Sequence, residues 1–132
     1  MILIDTNVLF DIVTNSDWAD WSAARLEEVA LRHELAINDI IFTEFSVRYP
    51  TLEATEKAVA AFGVSIQPIP RPALFLAGRA FQQYRTRKGA TKTGVLPDFI
   101  IGAHAAVRGI AILTRDAGRY RSYFPTVELI TP

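Results

Sequence analysis

Four carboxylates, Asp5, Glu44, Asp98 and Asp116, stand at positions from which they could act together. Asp5 directly follows the apolar run at residues 2–4, and Asp116 comes two residues beyond a second run ending near Leu113 or Thr114. Asp98 opens a stretch of helical period that leads into that second run. Glu44 lies four residues after Ile40, three after Ile41 and three before Val47, so a helix over residues 39–48 sets it within an apolar stripe. A buried, unpaired carboxylate is costly, so Glu44 requires a cation, a base or a metal nearby. Four carboxylates on one rim would repel and raise each other's pKa values unless a cation neutralised them. Oxygen ligands without histidine or cysteine favour Mg²⁺ or Mn²⁺ over zinc. Such a site suits phosphodiester hydrolysis, where the metal activates a water and stabilises charge growing on the phosphate. Both a nuclease and a phosphatase meet that description.

Each acid also has an ordinary role open to it. Asp98 could cap its helix, Asp5 and Asp116 could be turn residues, and Glu44 could pair with Arg48 at i+4. Four unrelated cap or turn acids need not converge, however, and the joint reading is stronger than any single one.

The elements that must position these residues follow from periodicity. Four to five short apolar runs read as buried strands, at residues 2–4, 35–37, 64–66, 110–113 and 127–130. A helix over 18–34 is expected after the capping residues Ser16 and Asp17. Leu52, Thr55, Val59 and Phe62 trace one helix face that stops at Gly63. Leu74, Ala77, Phe81 and Tyr84 trace another, beginning after Pro72. A further helix is expected over 98–108, with Asp98 at its N-cap and Gly109 ending it. Residues 86–97, rich in Gly, Thr and base, read as the one clear loop, near any phosphate backbone that binds. Strands alternating with helices predict a three-layer α/β domain with a mostly parallel central sheet. Ligands of such sheets collect at the carboxyl ends of the strands, the rim to which all four acids belong.

A length of 132 residues, half of them hydrophobic and 21% charged, predicts one globular domain over residues 1–132. The absence of cysteine excludes disulfides and thiolate chemistry, and His33 and His104 are too few for a histidine-rich zinc site. The opening Met1-Ile2-Leu3-Ile4-Asp5 does not read as a signal peptide. No apolar run approaches the roughly 20 residues of a membrane span, so a cytoplasmic protein is expected. A net charge of zero hides an asymmetry: residues 1–66 carry 11 acids and 4 bases, residues 67–132 carry 3 acids and 10 bases. The basic half could face a polyanion or simply be solvated helix surface.

The same residues resemble the PIN domain, and in particular the VapC-type toxins of bacterial and archaeal toxin–antitoxin pairs. Ile-Asp-Thr-Asn-Val-Leu (4–9) is similar to that family's first motif, and Ile-Ile-Phe-Thr-Glu-Phe (40–45) to the second. Leu-Pro-Asp-Phe-Ile-Ile-Gly-Ala-His-Ala (96–105) resembles the third. Leu-Thr-Arg-Asp (113–116), followed by Arg-Tyr-Arg-Ser-Tyr-Phe-Pro (119–125), resembles the fourth. The motifs occur in order over essentially the whole chain. The resemblance implies a PIN-like fold and an endoribonuclease that needs Mg²⁺ or Mn²⁺. Asp5, Asp98 and Asp116 would coordinate metal, with Glu44 ligating it or orienting the attacking water. Asn7 and Thr114 would support the site by hydrogen bonds, although helix entry and strand end are plain roles open to them. An RNA substrate, a homodimer and a VapB-like antitoxin are implied as partners. The antitoxin would lay a segment across a hydrophobic groove and offer a base to the acidic site. Trp18 and Trp21 could line that groove or belong to the core. His104 reads as a packed or supporting histidine, not a ligand.

Two other readings are open. A haloacid-dehalogenase-like phosphatase also begins with an Asp after its first strand, but it needs a second Asp where this chain has Asn7. It also needs a late lysine, and the last one here is Lys92. A non-catalytic PIN-like module that binds RNA or a partner is the other, and the intact acid set argues against it.

Overall fold

In the computed structural model, which describes residues 1–88 and 94–132, the N-terminal apolar run forms β1 (Ile2–Ile4). It is the central strand of a five-stranded, wholly parallel sheet. The others are β2 (Leu35–Asn38), β3 (Ser65–Gln67), β4 (Ala111–Leu113) and β5 (Leu129–Ile130), in the order β3-β2-β1-β4-β5. Every residue of β1, β2 and β4 is buried, as inner strands of a parallel sheet flanked by helices must be. The edge strands β3 and β5 keep partial exposure. Leu3 pairs with Ala36 on one side and Ile112 on the other, and Ile4 with Leu113, so β1 and β4 end side by side. Winding reverses between these two strands, and at such a switch point a crevice opens beyond the strand ends.

Seven helices join and flank the strands among the described residues: α1 (Thr6–Thr14), α2 (Ala19–Ala30), α3 (Asp39–Ser46), α4 (Leu52–Ala61), α5 (Arg71–Lys88), α6 (Leu96–Arg108) and α7 (Gly118–Tyr123). Two of them start directly from a strand through a polar cap. Asp5 accepts from the Thr6 N–H at 2.8 Å at the start of α1, and Asn38 accepts from the Ile41 N–H at 2.9 Å at the start of α3. No helix among the described residues is long and apolar enough to cross a membrane.

The elements differ from the sequence-based expectation in four places. Helix α1 follows Asp5 at once, where helix entry is offered only as an alternative role for Asn7 and no helix range is expected. The helix expected over 18–34 is α2, shorter at both ends: Asn15 at φ 51° turns the chain between α1 and α2, and α2 stops at Ala30 with Leu31 as its C-cap. Neither Ser16 nor Asp17 caps α2. Trp18 takes that position without a side-chain hydrogen bond, and the Ser16 hydroxyl donates to the buried Asp11 at 2.8 Å. Asp98 is not an N-cap either, since α6 begins at Leu96 with Pro97 setting its first turn, which leaves the Asp98 carboxylate in that turn. Of the expected loop, residues 86–88 continue α5 and residues 96–97 open α6, while residues 89–93 lie outside the described residues.

Helix α6 carries one glycine with a steric reason. A Cβ at Gly102 would lie 2.4 Å from Cδ2 of Phe124, a ring itself buried in the core. Alanine normally stabilises a helix interior by about 1 kcal/mol over glycine. Here the forced overlap costs about 1–3 kcal/mol. Gly102→Ala is therefore expected to lower the urea midpoint, the reverse of the usual sign; a raised midpoint would mean that Phe124 moves aside freely.

Candidate active site

Asp5, Thr6, Asn7, Phe10, Glu44, Asp98 and Asp116 line one pocket of about 240 Å³. The four acids singled out by the sequence thus come together with Asn7, at the carboxyl ends of β1 and β4. Thr114 stands behind them as a partner of Asp5.

Asp5, 5% exposed, is the centre of the arrangement. Its Oδ2 accepts from the Thr114 hydroxyl at 2.8 Å, the Tyr120 hydroxyl at 2.9 Å and Asn7 Nδ2 at 3.4 Å. Asn7 also donates to Thr114 Oγ1 at 3.2 Å and accepts from the Arg115 N–H at 3.0 Å. The Asp116 N–H donates to Thr114 Oγ1 at 3.1 Å, which ties the start of the β4–α7 turn to Asp5. Burial pushes the Asp5 carboxyl from the usual 3.8 to about 6, against the hydrogen bonds from Thr114 and Tyr120 and with help from the charge of Asp98. Burial and the surrounding acids hold the Tyr120 hydroxyl well above its ordinary value, so it remains a donor.

The other acids reach the pocket from separate elements. Glu44, half-buried on α3, accepts from the Thr6 hydroxyl at 2.7 Å rather than pairing with Arg48. Burial raises its pKa, and the Asp98 charge adds to this, despite the Thr6 hydrogen bond. Asp98, half-buried on α6, is paired with the Arg119 guanidinium from α7. Its pKa is nevertheless raised, chiefly by burial and also by Asp116, which together outweigh the hydrogen bond and charge of Arg119. Asp116 lies exposed at the pocket mouth.

The donor set fits a hard divalent cation. Four carboxylates share one pocket with no sulfur or imidazole among its lining residues, and three of them are pushed toward the neutral form, a strain that a cation would relieve. Among the described residues no three acidic or histidine side chains are drawn closely enough to grip one ion as they stand. Holding a cation there therefore requires side-chain adjustment among the four acids.

Several residues of the site are not singled out by the sequence reading. Tyr120 and Arg119 lie four and three residues after Asp116, inside the fourth motif, and their contacts need the turn of α7 to become visible. Asp11, 2% exposed on α1, is held by Arg115 through hydrogen bonds of 2.7 and 3.0 Å and by the Ser16 and Ser22 hydroxyls, both at 2.8 Å. Burial raises the Asp11 pKa, but the hydrogen bonds from Arg115, Ser22 and Ser16 outweigh it, and the carboxyl sits below its usual range. An acid among the apolar neighbours Val8, Leu9 and Ile12 is the signal that could have found this pair.

His104 is fully buried, with Nδ1 3.0 Å from Asn38 Nδ2. The Asn38 Oδ1 is taken by the Ile41 N–H, so the amide donates and Nδ1 accepts. Burial, then Arg108, lowers the His104 pKa and keeps the ring neutral. This histidine supports the cap of the helix that carries Glu44. Trp18 is 42% exposed and Trp21 half-buried, edge-to-face at 6.2 Å, with the Arg115 guanidinium 5.6 Å from the Trp18 ring. Neither lines the apolar groove formed by Ile12, Leu26, Leu35 and Phe62.

Several solved structures share this fold. VapBC2 from Rickettsia felis, bound to a DNA fragment from its promoter, aligns with a TM-score of 0.73 at 19% identity, over 99% of this chain and 98% of that one. VapBC-1 from nontypeable Haemophilus influenzae gives 0.72 at 14% identity, over 99% and 98%. A toxin–antitoxin complex from Klebsiella pneumoniae gives 0.69 at 23% identity, over 100% and 98%. At these identities the likeness is one of fold. No curated protein matches the sequence. The sequence model of the PIN domain matches residues 2–124, nearly the whole chain, and this protein belongs to the PIN domain family.

Proposed function

We propose that this chain is a Mg²⁺- or Mn²⁺-dependent endoribonuclease, the toxin of a type II toxin–antitoxin pair acting in the cytoplasm. The observation that carries the reading is the pocket itself, in which Asp5, Glu44, Asp98 and Asp116 meet on a PIN domain. Asp5, Asp98 and Asp116 would hold the cation, with Glu44 ligating it or orienting the attacking water. A divalent cation bound there would supply Lewis acidity toward the water and the phosphate oxygens. Thr114, Tyr120 and Asn7 hold Asp5 in one orientation, so Asn7 and Thr114 act on the reaction through it. Asn7 is bonded to Thr114 and to the Arg115 N–H and offers no carboxyl two residues after Asp5, which speaks against dehalogenase-like phosphatase chemistry.

Residues 67–97 contain six bases and no acid, which supports a polyanionic substrate. On α5, Arg79 lies 5.0 Å from the Phe75 ring and Arg85 5.8 Å from the Phe81 ring, and Arg87 lies 5.5 Å from the ring of Tyr123 on α7. Replacing all three arginines by alanine is expected to weaken RNA binding and flatten its dependence on log salt by about 2, near 0.7 per phosphate contact on a single strand. An unchanged slope in a filter-binding titration would remove α5 from the binding surface.

A VapB-like antitoxin is the proposed partner. The relatives of like fold occur in toxin–antitoxin complexes, and the apolar groove beside α1, α2 and α4 suits a partner segment. A homodimer belongs to the same reading.

Matched RNA and DNA oligonucleotides, together with p-nitrophenyl phosphate, test the reaction class when each is incubated with the chain and Mn²⁺. Internal cleavage of the RNA alone is expected. Hydrolysis of the aryl phosphate without oligonucleotide cleavage would replace the nuclease reading with a phosphatase.

A further inference from the structure

Arg119 stands beside the acidic pocket, joined to it through Asp98. From α7 it pairs through one terminal nitrogen with Asp98, and its guanidinium carbon lies 5.8 Å from the ring of Tyr84 on α5. Tyr84 in turn lies 5.5 Å from Phe99, the residue after Asp98 on α6. The guanidinium thus lies between Asp98 and α5, a helix that carries four arginines and no acid. Its side chain is 32% exposed, and among the described residues its remaining nitrogens donate no hydrogen bond. A guanidinium has five N–H donors in a fixed fork that matches phosphate oxygens, and a single carboxylate oxygen engages only part of it.

We propose that Arg119 is a catalytic residue that binds the scissile phosphate, and that it rests on Asp98 until a divalent cation claims that carboxylate. The inference deepens the nuclease reading and rests on it. Arg119 occupies Oδ2 of Asp98 and its charge opposes a cation on the remaining oxygen, so the arginine and a bound metal would compete for the charge of that carboxylate. Were Asp98 engaged by a cation, Arg119 would stand beside the pocket with its fork open to phosphate oxygens. A phosphate entering along α5 then meets it next to the acids. The exchange keeps net positive charge near Asp98 in both arrangements, and it frees the arginine only when the metal is in place.

The competition makes an unusual prediction: a substitution that damages catalysis should improve metal binding. Mn²⁺ affinity of Arg119→Gln, measured without RNA by electron paramagnetic resonance, is expected to rise about two- to fivefold, the range of a half-exposed ion pair. Its single-turnover cleavage of RNA at saturating Mn²⁺ is expected to fall about 100-fold. Arg119→Lys, which keeps the charge but not the fork, should fall between wild type and the glutamine variant in both measurements. It also provides the test if Arg119→Gln does not fold. Unchanged or weaker Mn²⁺ binding in a folded variant would overturn the competition, and unchanged cleavage would overturn the phosphate contact. Wild-type protein that neither binds Mn²⁺ nor cleaves RNA would instead bring down the nuclease reading itself, and this proposal with it.

Discussion

Asp5→Asn is expected to lower RNA cleavage at least about 10³-fold while making the metal-free chain harder to unfold. Asparagine caps helices as well as aspartate does, so α1 keeps its start. What disappears is a charge that burial disfavours, together with the acceptor for Thr114, Tyr120 and Asn7. The two hydroxyl partners can turn to accept from the new amide. The Asp5 carboxyl is raised from 3.8 to about 6, mainly by burial. Between those pH values the folded state holds a proton that the unfolded state has released. Stability therefore falls as pH rises through this window, and the full penalty, roughly 2–3 kcal/mol, applies above about pH 6. His104 works in the opposite direction: its pKa is lowered on folding, so acidification below 6.5 favours the unfolded chain. Comparing wild type with Asp5→Asn isolates the carboxyl from the histidine. In urea melts the variant should be more stable at pH 7, with the gap closing by about pH 4. Mg²⁺ should raise the melting temperature of wild type by mass action and leave the variant unmoved. A variant less stable than wild type at pH 7 would mean that Asp5 serves the fold as a charged cap.

The second large effect is structural and lies just outside the pocket. Arg115→Ala removes the only cation bonded to the buried Asp11 among the described residues, leaving Ser16 and Ser22 as its partners. Breaking a buried pair on one side costs about 3–5 kcal/mol. The 31% exposure of the Arg115 side chain favours the lower end of that range. For a domain of this size the melting temperature should drop by roughly 10 °C. Arg115→Met combined with Asp11→Asn, which removes both charges, should recover most of the loss. If the double substitution is as damaging as the single one, an unpaired Asp11 charge is not the source of the loss. Arg115 stands between Thr114 and Asp116 and donates its N–H to Asn7, so a loosened turn should also weaken metal binding.

The fold was legible wherever local pattern decides it. Apolar runs gave all five strands within one or two residues, because inner parallel strands are short and apolar throughout. Gly63 and Gly109, both at positive φ, marked helix ends as expected. Helix α1 escaped notice because its N-cap is Asp5, which also reads as a ligand, and because the buried Asp11 interrupts its apolar stripe. The four acids could be placed on one rim from strand ends and helix periods together. Their partners could not, since Tyr120 reaches Asp5, Arg119 reaches Asp98 and Arg115 reaches Asp11 only after β1 and β4 pair. The expected repulsion is present in Asp5, Glu44 and Asp98 as raised pKa values, although burial contributes more than like charge to each. Glu44, for which a cation, a base or a metal is expected, is met instead by the neutral Thr6 hydroxyl.

The most direct test is incubation of the purified chain with total cellular RNA and Mg²⁺ or Mn²⁺. EDTA and an Asp98→Asn protein serve as controls, after any co-purified partner has been stripped by unfolding and refolding. Discrete fragments that vanish in both controls are the expected result. Intact RNA in every lane, or cleavage that survives EDTA or the substitution, would contradict a carboxylate-bound metal nuclease.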